Sequence, residues 1–391
     1  MTQKHVLILC NALDDVTRLE RAITTDSPAA SRKVFMLAQA LRGAGVRTTV
    51  VSFGRGYRSG GSECFPTVVR RPRRVPTVYV RFVNRPVWSE IVSLVAAAVA
   101  VARLHRRRRH EVLIAYNRAP ANALGILVAK LLGMRVVLDL EDADAAGRGG
   151  MRGPAIRLGN ALVDRICDRA LLACTALAAA TRLRPVLPYY GVVEAVAAPR
   201  SWDGPVQAHL GGTLNHDTGA EWLADAIEQL RRDRPAWAAG LVITITGKGP
   251  SLTRLAGLAG DGYPGVNVHG RLTDADFAAL RAATHVGLSL RPPGGILADT
   301  TFPSKTIEIA SAGQVVLTTD VSDVRVVLGS DGAVFVGDGS VAALVEALCG
   351  IVEDPDKAAA IAARGAAAVR RVGDPHAAAG RVADFLFAGI A

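Results

Sequence analysis

Apolar residues along this chain come in two alternating rhythms. Short continuous runs read as buried strands: His5–Cys10, 46–53, 111–115, Arg135–Leu140, 170–174 and 186–193 in the first half. Between them lie stretches with apolar residues three or four apart. Residues 31–41 put Val34, Leu37, Ala38 and Leu41 on one helical face before Gly43 and Gly45 close it, and 88–104, 120–132 and 154–168 are the helices that follow. The second half repeats the plan. Strands are predicted at 206–210, 241–246, 266–269, 285–290 and 315–317, and helices at 217–231, 273–283, 340–352, 356–371 and 375–386. Strand–helix–strand alternation predicts parallel sheets with right-handed crossovers. The fold expected is α/β, two doubly wound Rossmann-like domains facing each other across a cleft. The first domain is expected over 1–200, the second over 205–372, and a last helix in 373–391 is expected to pack back on the first. Residues 201–204 read as the linker.

Composition narrows the class. Of 391 residues, half are apolar and 21% charged, which suits two large cores and excludes wholesale disorder. Five scattered cysteines without a C-x-x-C pair argue against a disulfide framework and a zinc site. The chain runs into its first strand without a signal-peptide layout, so a cytoplasmic setting is expected. The charge is uneven. Residues 1–200 carry 31 Lys and Arg against 14 Asp and Glu, a net +17, whereas residues 201–391 carry 15 against 21, a net −6. Arg70-Arg-Pro-Arg-Arg74 and Arg106–Arg109 concentrate that charge and point to an anionic membrane surface as partner. No nucleic acid is expected, because the basic runs lack interleaved aromatics. The apolar run 91–104 is shorter than a membrane span, and packing against the core is the favoured reading for its helix. Gly54-Arg-Gly56-Tyr-Arg-Ser-Gly60 follows the second strand with its third glycine one place late, so it reads as a loop rather than a dinucleotide fingerprint.

Candidate chemistry gathers at strand ends, where open α/β sheets bind ligands. In the first half these tips are Tyr116-Asn117 and Glu141-Asp142, and the long polar loop 11–28 is a further candidate. In the second half the strand 206–210 ends in Gly211-Gly212-Thr213, and 241–246 ends in Gly247-Lys248-Gly249-Pro250. Arg271 follows the next strand. Then comes Phe302-Pro-Ser-Lys-Thr-Ile-Glu308, with Ser304 as N-cap and Lys305 and Glu308 in the first turns of a helix. Glycine-rich turns and helix N-termini suit a diphosphate, and Glu308 suits sugar hydroxyls.

That series of second-half motifs, continued by Thr319-Asp320 and Gly332-Ala-Val-Phe-Val, resembles the group 1 glycosyltransferases of the GT-B fold. In the first half, Leu138-Asp-Leu-Glu-Asp142 is similar to an acceptor-domain strand tip of that family. The resemblance implies retaining transfer of a sugar from a nucleoside-diphosphate sugar to an acceptor, with no metal and no cofactor besides the donor. It implies that Lys248 and Lys305 serve catalysis. Gly212, Thr213, Gly247, Gly249, Arg271, Thr300, Ser304, Thr306 and Glu308 would hold the donor, and Tyr116, Asn117, Glu141 and Asp142 would meet the acceptor. Combined with the basic first half, it implies a sugar, lipid-linked or polysaccharide acceptor at a membrane. Departures are specific. Thr300 stands where the family has Glu, Thr213 where it has Arg, Thr218 where it has Lys, and Ile114 or Tyr116 where it has His. They leave open a non-catalytic partner subunit on the same fold. Asp142-Ala-Asp144 has the D-x-D form that binds a cation in the GT-A class, but reads here as a solvated acidic turn.

Overall fold

Parallel strands dominate the computed structural model, which describes residues 3–56, 63–85, 88–142, 153–193, 200–292, 300–337 and 339–390. The chain divides into two units, residues 1–192 with 375–391, and residues 193–374. The strands of the first are β1 (His5–Cys10), β2 (Arg47–Ser52), β3 (Cys64–Phe65), β4 (Val68–Arg70), β5 (Thr77–Tyr79), β6 (Phe82–Val83), β7 (Val112–Tyr116), β8 (Arg135–Leu140), β9 (Arg169–Leu172) and β10 (Val186–Pro188). Eight form one sheet in the order β10-β9-β8-β7-β1-β2-β5-β4, parallel except for the edge strand β4, while β3 and β6 make a separate antiparallel ribbon. The order reverses between β1 and β7. Right-handed crossovers put the helix Pro28–Gly43 on one face and the helices Trp88–Arg108, Ala123–Leu131 and Gly153–Ile166 on the other.

The last helix, Pro375–Phe387, belongs to the first unit and packs beside Pro28–Gly43, burying Ala379, Val382 and Leu386 with Leu37, Leu41 and Ile114. Arg135 donates to the carbonyls of Leu386 and Ala388 at 2.9 and 2.8 Å, and Arg169 to those of Phe385 and Ala388. Two guanidinium groups thus satisfy the carbonyls that a helix C-terminus leaves unpaired.

The second unit holds β11 (Val206–Thr213), β12 (Leu241–Lys248), β13 (Gly265–His269), β14 (Val286–Ser289), β15 (Val315–Thr319) and β16 (Val334–Val336), all parallel in the order β13-β12-β11-β14-β15-β16. Here the reversal falls between β11 and β14. Its helices start where the side chains dictate. Thr273 accepts from the Asp276 N–H, Ser340 from Ala343, and Asp354 from Lys357 with Pro355 in the first helical position.

Several expectations change. β11 and β12 run on through their glycines, because Gly212 pairs opposite Gly247 and a Cβ on Gly247 would lie 1.9 Å from the Gly212 carbonyl oxygen. The strand expected to reach 193 stops at Pro188, and the short strands between 64 and 83 carry too few residues for periodicity to show. The long polar loop is built, with a helix Asp15–Glu20 capped by Asp14. Arg21 beyond it is buried and donates to the carbonyls of Gly54, Val80 and Pro66, so one side chain ties three segments. The helix expected at 88–104 runs through Arg108 and reaches 21 residues, long and apolar enough by length and composition to cross a membrane. It packs against the sheet along one side only.

Candidate functional site

In the second unit the carboxyl ends of β11, β12 and β14 form one cradle, at the place where the strand order reverses. Thr213 pairs opposite Lys248, and the Leu214 N–H donates to the Lys248 carbonyl at 2.9 Å. Gly212 has φ of 108°, and a Cβ there would lie 2.7 Å from the Lys305 nitrogen. Lys305 opens the helix Lys305–Ser311 beyond β14, and its ammonium donates to the Gly211 carbonyl at the tip of β11. Burial pushes that ammonium below its ordinary pKa; Glu308 one turn on opposes the fall, and Arg291 adds to it. Beneath Gly211, His209 Nε2 lies 2.9 Å from Thr246 Oγ1. Burial, with Lys305 and Arg281 nearby, pushes His209 down to about 4, so its ring is neutral at pH 7.

The other donor-side residues divide into those at the surface of this cradle and those committed elsewhere. Lys248 is exposed as the last residue of β12, Arg271 is exposed beyond β13, and Gly249 lies one residue past β12. Glu308 is half-buried, and its carbonyl accepts from Arg281 at 3.2 Å. Arg291 donates through its backbone N–H to Thr319 and through its guanidinium to the Thr301 carbonyl. Thr300 is half-buried at the edge of the described residues; Asp299 lies outside them.

Two expectations are corrected. Thr306 is fully buried, with its N–H and hydroxyl both on the Pro303 carbonyl, so it offers neither to a ligand. Ser304 precedes the helix in an αR conformation and makes no side-chain cap, and its N–H bonds to the Phe302 carbonyl. Thr218, where the family has Lys, caps a turn instead. It exchanges bonds with Asn215 and donates to the Thr213 carbonyl at 2.6 Å.

In the first unit the carboxyl ends of β7 and β8 meet the helix Pro28–Gly43 around a buried ion cluster. Lys33 projects from that helix onto Glu141 and lies 3.8 Å from Asp139 Oδ1. Burial alone would push the Lys33 ammonium down, but Asp139 and Glu141 lift it above its ordinary value. Burial, against the pull of Lys33 and with Asp139 adding, pushes the Glu141 carboxyl up to about 7. Tyr116 and Tyr189 border the cluster, the Tyr189 ring 5.1 Å from the Lys33 nitrogen, and burial raises both phenols. The Tyr189 hydroxyl and Asp139 Oδ1 are buried without a hydrogen-bond donor or acceptor among the described residues.

Asn117 is held beside this cluster with φ of +57°, its N–H on the Asp139 carbonyl at 2.7 Å. The buried Asn122 amide grips the carbonyls of Tyr116 and Asn117. Arg118 is structural, since it forks onto Asp164 and the Ala180 carbonyl. Asp142 closes the described segment half-buried; Asp144 lies outside the described residues. Lys33, Tyr189 and His209 were not singled out from sequence, and Asp139 only as part of a motif. For Asp139 and His209 the signal was a charged or polar residue inside an otherwise apolar stretch.

The comparisons with known proteins bear on both halves. Residues 205–354 match the family described as glycosyl transferases group 1, and residues 29–186 match the glycosyl transferase 4-like domain. No curated protein matches significantly. Among solved structures, sucrose-phosphate synthase from Thermosynechococcus elongatus superposes with a TM-score of 0.70 at 14% identity, over 98% of this chain and all of that one. HepE from Anabaena, in complex with UDP and glucose, gives 0.68 at 16%, over 97% of this chain and 98% of that one. Trehalose 6-phosphate synthase from Burkholderia multivorans gives 0.65 at 9%, over 99% of this chain and 97% of that one. At such identities the likeness is one of fold, and that fold is GT-B. The two matched segments together take in most of the chain, each on the sheet that carries its own strand-tip cluster. This protein belongs to the group 1 glycosyltransferases.

Proposed function

We propose that the second unit binds a nucleoside-diphosphate sugar at the β11–β12–β14 cradle, and that the sugar passes with retention to a hydroxyl held at the β7 and β8 tips. The observation that carries this reading is Lys305 spanning the strand-order reversal from the helix after β14 to the carbonyl end of β11. A site there meets a diphosphate with a desolvated ammonium beside glycine backbone, the environment in which a fixed charge acts most strongly. In the transfer the bond from C1 to the diphosphate oxygen breaks, a bond from C1 to the acceptor oxygen forms, and the acceptor proton leaves with the diphosphate. Lys305, with Lys248 and Arg271 at the rim, stabilises the negative charge that develops on the leaving group. Glu308 takes the ribose hydroxyls. Glu141 and Asp142 orient the acceptor hydroxyl beside Tyr116 and Asn117, and the acceptor is a lipid-linked or glycoconjugate sugar. The complexes of HepE with UDP and with UDP-glucose favour a uridine nucleotide.

Thermal unfolding in the presence of UDP, GDP, ADP and dTDP tests the donor site. At a hundredfold excess over its dissociation constant, the right nucleotide stabilises the fold by about 2.7 kcal/mol. Glu308→Gln weakens that stabilisation, and undiminished stabilisation in the variant removes Glu308 from the donor site. Turnover is expected to survive EDTA, because side-chain cations carry the charge. Loss with EDTA and recovery with manganese would move the chemistry to a metal and to Asp142.

A further inference from the structure

The helix Trp88–Arg108 packs the wrong way round for a purely soluble domain. Its buried positions are mostly small, Ser93, Ala97 and Ala98 with Val101, while the larger Ile91, Val95 and Val99 face solvent at 40% exposure or more. At about 100° per residue, Trp88, Ile91, Val95, Val99 and Arg106 fall within one arc of about 80°. That arc runs from an exposed Trp through three aliphatics to arginine. The helix packed against this one adds Leu131, 78% exposed, and the helix beyond that adds Leu158, 63% exposed. Water-facing aliphatics thus recur on all three helices of one layer, and monomeric proteins rarely leave large apolar patches uncovered. Only 22% of the first helix's most apolar stretch is buried in the protein.

Charge says what covers it. The three helices carry seven Lys and Arg against two Asp and Glu, and Asp164 is already held by Arg118. Glu90 is paired with Arg55. Arg103 and Arg106 to Arg108 are thus an excess of cations at one end of the apolar surface. A second copy docking by a two-fold axis would lay this basic surface on itself. We infer that this three-helix face lies in the interfacial layer of an anionic bilayer, with Trp88 and the aliphatics among the acyl chains and Arg103 and Arg106–Arg108 at lipid phosphates. The first helix does not span, since one side of it is committed to the sheet. This deepens the reading above by giving the acceptor a bilayer source, and binding is measured without any transfer, so either can fail alone.

Sedimentation of the full chain with vesicles is the test, using phosphatidylcholine alone or an equal mixture with phosphatidylglycerol. Binding is expected to the mixture only, and to weaken as salt shortens the Debye length below about 8 Å. Arg106, Arg107 and Arg108 changed together to Ser lower the partition coefficient by about a hundredfold. Val95→Ser with Val99→Ser lowers it by about tenfold while leaving the salt dependence intact. All five positions are exposed or half-exposed, and an unchanged melting temperature checks that each variant is folded. The inference is overturned by equal binding to neutral vesicles, by no binding, or by binding that both variants retain. It is also overturned if the protein dimerises without lipid and Val95→Ser with Val99→Ser dissociates the dimer.

Discussion

Lys305→Met lowers kcat by about 10²–10³-fold, the loss found when one preorganised charge at a developing oxyanion is removed. Methionine keeps the unbranched stem that fills the space above Gly212 and deletes only the ammonium that donates to Gly211. The fold should therefore survive, and the loss should appear in turnover more than in the donor KM if the charge acts mainly on the transition state. The reaction should also carry a pH signature. Burial lowers the Lys305 pKa, so the empty site loses this proton at lower pH than a solvated lysine does. A bound diphosphate favours the charged form, so donor affinity falls as pH rises through that lowered pKa. In Lys305→Met this alkaline limb disappears. Turnover within about twofold of the unaltered protein would remove Lys305 from the mechanism.

Lys33→Met destabilises the first unit by about 3–5 kcal/mol, because two buried carboxylates lose their counter-ion. The sign of its pH dependence follows from Glu141. Its carboxyl is pushed up to about 7 in the folded chain from an ordinary value of 4.5, so between those values the folded state binds more protons than the unfolded one. Stability from this group therefore falls as pH rises through that window. Without Lys33 the carboxyl is pushed higher still, and the deficit grows with pH. Urea melts at about pH 5 and about pH 8 should show a larger difference between Lys33→Met and the unaltered protein at the higher value. Adding Glu141→Gln to Lys33→Met should recover part of the loss. A difference that is equal at both pH values, or below about 1 kcal/mol, would mean that Lys33 is not the neutralising charge.

The sequence by itself determined the two parallel sheets, because continuous apolar runs such as Val6–Cys10 alternate with stretches of helical period such as 31–41. It determined the helix starts at Thr273 and Ser340 through their capping hydroxyls, and it determined the family through motifs whose residues are adjacent in the chain. The motif positions at strand ends were legible for the same reason, since glycine-rich turns are local. What joins them was not. Lys305 and Gly211 are 94 positions apart, and Lys33 and Glu141 are 108 apart, so each pair exists only once the strand order brings its members together. Thr306 shows the converse. Its place in the motif suggested a ligand, but the turn at Pro303 uses both its polar groups and packing closes over it. The outward face of Trp88–Arg108 was likewise a tertiary decision. A run of Val and Ala is apolar all round, and the side on which the sheet packs determines which residues are covered.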